Sequence, residues 1–281
     1  MRDDRVTIAK AIGILLMVAA HGGTPEWLTQ FIGMFHMPLF FFMSGYCFKE
    51  KYLSLFPSIF LNKRLKGLYL PYVKWALLFL LLHNVFYSLD IYNDVYGFND
   101  KVSYPYTWKD FGERILRIVL GMHGHEQLLG GYWFLPQLLY ASVLGFFIIK
   151  YIRNTYISVP LLLAVCIISS LFNLHLPFWR INSLTMLAAL FFLAGFVYKK
   201  RFDNWNGKII TMLFTVTVAY GSITCPTTML HFSAWQVLPY FICAVCGTIM
   251  TLNISRHIAQ YKNLFKRLLV YIGDNTITIL T

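Results

Sequence analysis

The sequence predicts an all-α fold, a polytopic bundle of transmembrane helices, and three observations carry that expectation. Hydrophobic residues make up 58% of the chain and charged residues only 13%, far from the averages of soluble domains. Apolar windows of bilayer-spanning length, roughly 17–25 residues, recur from end to end. The basic residues between those windows are abundant in every second connection and sparse in the others.

Taken in order, the windows fall at about 5–22, 31–48, 69–89, 132–150, 156–174, 183–199, 208–225, 235–253 and 268–281. That makes about nine spans. The first resembles a signal peptide, with Arg2 and Arg5 ahead of it and Ala19-Ala20 near its end. Eight more spans follow and no soluble domain does, so it reads as an uncleaved first helix. The last window stops at Thr281 without flanking charge or an interfacial aromatic residue, so a final span is expected to be truncated. No Gly/Ser linker, repeat or low-complexity tract interrupts residues 1–281, which read as a single domain with an extracytoplasmic loop at about 90–131.

A net charge of +12 would suggest nucleic acid were it clustered on one face, but its alternation reads as topology instead. With the N-terminus inside, 18 of the 24 Lys and Arg residues fall in cytoplasmic segments, while Glu26, Asp90, Asp94, Asp100, Asp110, Glu113 and Glu126 gather outside. The positive-inside rule therefore sets a cytoplasmic N-terminus, a bilayer as the surrounding solvent and no nucleic-acid partner. Cys47, Cys166, Cys225, Cys243 and Cys246 lie mostly inside apolar windows. The Cys243-x-x-Cys246 pair has no second half, so packing explains it better than zinc or redox chemistry.

Polar groups inside the apolar windows are costly and mark functional positions. His21 closes the first window, His36 lies a few residues into the second, and Ser44 follows it. Lys10 precedes His21 by eleven residues, roughly 16 Å along a helix. Antiparallel packing across the short connection Gly22–Gln30 would bring the two imidazoles to a similar depth. A neutral histidine there has a lone pair to serve as a general base toward a hydroxyl. The alternatives are a helix-capping histidine and, for Lys10, a topology anchor that snorkels to the interface.

The outer loop carries Trp108, Phe111, Ile115 and Ile118 at helical spacing, which predicts an interfacial helix. Trp108, Tyr132, Trp133 and Trp179 are candidates to stack on a sugar, or else members of an aromatic belt. His123-x-His125-Glu126 is too isolated a cluster to predict a metal, and none is expected.

The run Ile8-Ala9-Lys10 through Ala20-His21, followed by Phe35-His36-Met37-Pro38 through Ser44-Gly45-Tyr46, resembles the acyltransferase-3 family of integral membrane O-acyltransferases. The fucose 4-O-acetylase-like, polysaccharide-modifying bacterial branch is the nearest in character. Further agreement comes from Arg64 with Leu70-Pro71-Tyr72, from Trp133-Phe134-Leu135-Pro136 and from Leu190–Phe196. The resemblance implies an acyl-CoA donor, acetyl-CoA first, and a hydroxyl acceptor on a surface glycan or lipid-linked sugar, at the bacterial cytoplasmic membrane. It assigns Lys10 with His21, and His36 with Ser44, to the family's two motifs; as inside cations, Lys10 with Arg64 and Lys66 as helpers would take the donor's nucleotide. Lys10 replaces the usual arginine and so lacks its bidentate fork. Thr7 stands where an acidic residue is common, and Gln137 and Leu138 occupy the stretch after Trp133 where other branches carry a glutamate. Two other readings stay open: a transporter of a lipid-linked sugar or small amphiphile with the histidines as coupling sites, and an inactive scaffold.

Overall fold

The computed structural model describes residues 3–92, 104–204 and 207–276. Its described residues form helices and connecting turns, with a single isolated bridge between Leu176 and Ile181. Among the described residues, three helical stretches are long and apolar enough to cross a membrane: Gln127–Tyr151, Ser183–Arg201 and Ala234–Ala259. Thr155–Leu171 and Lys208–Thr224 are apolar but shorter.

The residues cluster into two compact units. The first contains the described chain up to Leu53, Ala141–His175 and the described residues from Asn182 to Thr276; the second contains Ser54–Tyr140 and Leu176–Ile181.

In the first unit, α1 (Asp4–His21) starts at Asp3, whose carboxylate accepts the Arg5 backbone N–H at 3.0 Å and its guanidinium at 2.7 Å. The expected second span is broken. It consists of α2 (Glu26–Gly33), two turn residues and α3 (His36–Tyr46). Pro38 explains the break, because it has no N–H for the carbonyl of Met34 and its ring would overlap that carbonyl in a continuous helix. The unit continues with α9 (Thr155–Leu171), α10 (Ser183–Arg201), α11 (Lys208–Thr224), α12 (Val237–Ala259) and α13 (Leu264–Asp274). Asn182 caps α10 in a reciprocal arrangement with Thr185, and Lys199, Lys200 and Arg201 close its last turn, where cations favour the helix dipole. The window expected at 268–281 is α13, which starts earlier and ends at Asp274; residues 277–281 lie outside those described.

Helix crossings in this unit use small residues where backbones meet. A β-carbon on Gly45 would run into the carbonyl of Phe192, and one on Gly195 would run into the carbonyl of Phe42. The two apolar motifs of α3 and α10 are thus the two sides of one close crossing. On α1, Gly13 admits Leu39 and Phe40, while Thr7 lies against Gly273 of α13. Phe42, Met43, Tyr46, Tyr198 and Leu252 fill the core between these helices with Val6 and Ala9.

In the second unit, α4 (Pro57–Arg64) runs through a π turn at Leu65–Tyr69 into α5 (Leu70–Leu81), followed by α6 (His83–Ser88). The helix expected from residue 69 thus begins at Pro57, and Pro71 accounts for the irregular turn, since it offers no N–H to the carbonyl of Gly67. The expected interfacial helix is α7 (Trp108–Gly121), started by a capping box between Thr107 and Asp110. Asp94, Asp100 and Lys101 lie outside the described residues. The chain passes from this unit back to the first within α8 (Phe134–Tyr151).

Candidate active site

The site candidates of the first unit sit on α1 and α3. Lys10 and His21 are eleven residues apart on one continuous helix, which turns them through about three full revolutions and leaves both on one face, roughly 16 Å apart. Gly13 occupies the same stripe and faces Leu39 and Phe40. Val6 shares a core cluster with Tyr46, so α1 and α3 run antiparallel. That register sets His36 at the level of Met17, one turn short of His21. The imidazoles of His21 and His36 lie within electrostatic range of each other. Lys10 is part-buried and His21 is exposed.

His36 is fixed by its backbone surroundings. Its Nδ1 lies 2.9 Å from the carbonyl oxygen of Ile32 in α2. A carbonyl only accepts, so the ring hydrogen of that bond is on Nδ1 and the neutral ring keeps its lone pair on Nε2. That is the arrangement a general base needs: one nitrogen held, the other available. Ser44 lies eight residues further along α3, about 12 Å from His36 and at the level of Lys10 rather than of the histidines.

The remaining candidates belong to the second unit. Arg64 ends α4 with its guanidinium 5.2 Å from the centre of the Phe60 ring. Lys66 is exposed in the π turn. Trp108 is 91% exposed at the start of α7, Trp179 stands edge-on to Phe178 at 5.3 Å, and Trp133 is part-buried. Tyr132, by contrast, is buried, 5.6 Å from the Tyr72 ring and 6.2 Å from that of His125. Gln137 is buried too, with its amide 3.4 Å from the carbonyl of Arg180.

A polar centre that the sequence did not reveal lies in the same unit. His83, fully buried, places Nδ1 2.7 Å from the Glu126 carboxylate and Nε2 3.1 Å from the carbonyl of Tyr104. Its ring stacks on Tyr106 at 3.4 Å between centroids, and the Arg114 guanidinium covers the other partner, 4.4 Å from the Tyr106 ring centre. The sequence signal was a histidine inside an apolar window, the same signal that exposed His36. Glu126 therefore serves His83, while His125 faces Tyr72 at 3.3 Å and His123 faces Phe178. Among the described residues no group of three His, Cys, Asp or Glu side chains is placed to hold a metal ion.

Comparison with known families decides the class. The model of an acyltransferase domain matches residues 3–281. The chain belongs to the acyltransferase-3 family. This acyltransferase-3 protein is an enzyme that transfers acyl groups other than aminoacyl groups, and its apolar helices make it a membrane protein. The enzyme reading thereby prevails over the transporter. No curated protein and no solved structure matches the chain.

Proposed function

We propose that this enzyme moves an acyl group, acetyl first, from acyl-CoA on the cytoplasmic side to a hydroxyl of an extracytoplasmic or lipid-linked carbohydrate, as in the fucose 4-O-acetylase-like branch. The observation that carries the reading is the held imidazole of His36, whose Nε2 lone pair is left to take a proton. The acceptor hydroxyl loses its proton to Nε2 as its oxygen attacks the thioester carbonyl. The tetrahedral adduct then collapses, the C–S bond breaks, and the proton leaves with the thiol. His21, within electrostatic range, steadies the oxyanion. Lys10, at the other end of the same α1 face, takes the donor's phosphates as a point charge.

The same reading includes about nine spans at the bacterial cytoplasmic membrane with the N-terminus inside. Three ion pairs of the first unit support the shared side that this topology requires of its paired segments. Lys266 meets Asp4 at 2.8 Å, Lys200 meets Glu50 at 2.8 Å, and Arg256 meets Asp203. Each pair joins two segments that the positive-inside rule places on one side. Ser44, a full 12 Å or so from His36, leaves a direct transfer without an acyl-serine as the simpler route.

The test is transfer of radiolabelled acetyl from acetyl-CoA to crude surface glycan by the protein in lipid. His36→Gln is expected to lower turnover by about 10²–10⁴-fold, the usual worth of a general base, and Lys10→Ala to raise the donor KM with a smaller effect on turnover. Full activity in His36→Gln would end the base assignment; transfer to no carbohydrate, with thioester hydrolysis intact, would end the acceptor assignment.

A further inference from the structure

The geometry points to the helix break before His36 as the device that orients its ring, with Pro38 and Gly247 as the positioning residues that keep the break open. The inference rests on the reading of His36 as the base.

In an unbroken helix the carbonyl of Ile32 would accept the backbone N–H of His36, four residues on. Here that carbonyl accepts the N–H of Phe35 at 3.1 Å and the Nδ1–H of the His36 ring at 2.9 Å. The side chain of His36 occupies the place that its own backbone would take. Healing the helix and holding the ring are therefore alternatives, and whatever prevents the first secures the second.

Two features prevent it. Pro38 offers no N–H to Met34 and blocks the helical path of that carbonyl. Gly247, in mid-α12, makes the seat for the turn residue itself. A β-carbon there would come within 2.5 Å of both Cβ and Cγ of Phe35, which is 1% exposed. Glycine weakens a helix interior, so a glycine at this point of α12 needs a packing reason; Phe35 supplies it. Met34 is in ordinary contact with α11, its methyl 3.5 Å from the β-carbon position of Gly221, whose lack of a side chain makes room for Cys243 instead. Many catalytic histidines take their orientation from a carboxylate. In this chain a main-chain carbonyl does the orienting.

The full chain in lipid nanodiscs, labelled with ¹⁵N-histidine, gives a direct reading, because a protonated ring nitrogen and one with a lone pair resonate far apart. The His36 signals are those lost in His36→Gln. Wild type is expected to show hydrogen on Nδ1 and the lone pair on Nε2 at neutral pH. Gly247→Ala displaces Phe35, and Pro38→Ala, which adds no volume, lets the helix close. Each is expected to move His36 toward the opposite tautomer and to lower acetyl transfer on the order of tenfold or more with donor KM unchanged. Gly247→Ala combined with Phe35→Gly removes the clash and is expected to restore both signals. A wild-type ring protonated on Nε2 would overturn the proposal, as would variants that lose the tautomer yet turn over normally. A tautomer that follows the break in a protein with no transferase activity would uphold the break as the ring's orienter and refute the base assignment instead.

Discussion

The histidines of this chain differ in what meets their ring nitrogens, and that difference decides what each can do. His36 has one nitrogen held by a carbonyl, whereas His83 has both nitrogens engaged, one by the Glu126 carboxylate and one by the Tyr104 carbonyl, so it fastens the segments around it. His123 shows a third condition. Its Nδ1 is buried without a hydrogen-bond partner, and burial, with the nearby Arg180 and Arg117 guanidinium charges, holds its pKa below the ordinary imidazole value. The folded state thus binds the proton more weakly than the unfolded chain, which titrates near 6.5. The stability that a neutral His123 contributes is complete above about that pH and is lost as pH falls below it. The melting temperature of the wild type is expected to drop between pH 7 and 5 more steeply than that of His123→Gln; parallel drops would show that His123 is not the group responsible. His21 and His36 were legible in the sequence because an ionisable group in an apolar run is conspicuous. The His83–Glu126 pair was not, since its members are 43 residues apart and only tertiary folding brings them together. Tyr132 reads in sequence as a sugar-stacking ring, but the close approach of Tyr72 and His125, invisible in a linear chain, buries it.

Among the elements, the α3–α10 crossing is the most demanding. Gly45 and Gly195 each lie against a main-chain carbonyl of the other helix, so neither neighbour can turn a side chain away to make room. Gly195→Leu is expected to destabilise the protein by about 3 kcal/mol or more, at or above the usual range for overpacking. Gly112, in α7, has nothing within 4 Å of its β-carbon position, and Gly112→Ala is expected to stabilise by about 0.5–1 kcal/mol. Thermal unfolding followed by size-exclusion chromatography compares the two; tolerance of Gly195→Leu would mean that the crossing is looser than described. Hydropathy located these helices but not their breaks. The boundaries at Pro38 and Pro71 come from missing N–H groups, which a window average does not weigh, and the capped starts at Thr107 and Asn182 come from single side chains.

For the whole molecule, the charge alternation makes a claim about sides that labelling can check. On a background without the native cysteines, a cysteine at Lys262 is expected to react with an impermeant maleimide only from the cytoplasmic face, and one at Glu26 only from the opposite face. Labelling of both from one face would reverse or dissolve the topology. The two compact units were not legible at all, because their segments interleave along the chain.

The contact of Thr7 with Gly273 also bears on how the protein is made. α1 leaves the ribosome well before α12 and α13, yet much of the surface it packs on, beyond α2 and α3, belongs to those two later helices. Phe35 likewise waits for Gly247. Until α12 is made, the nascent chain holds His36 beside an unfinished seat. The geometry around His36 therefore waits on α12, and a ribosome stalled before that helix would leave a chain whose break has no seat for Phe35.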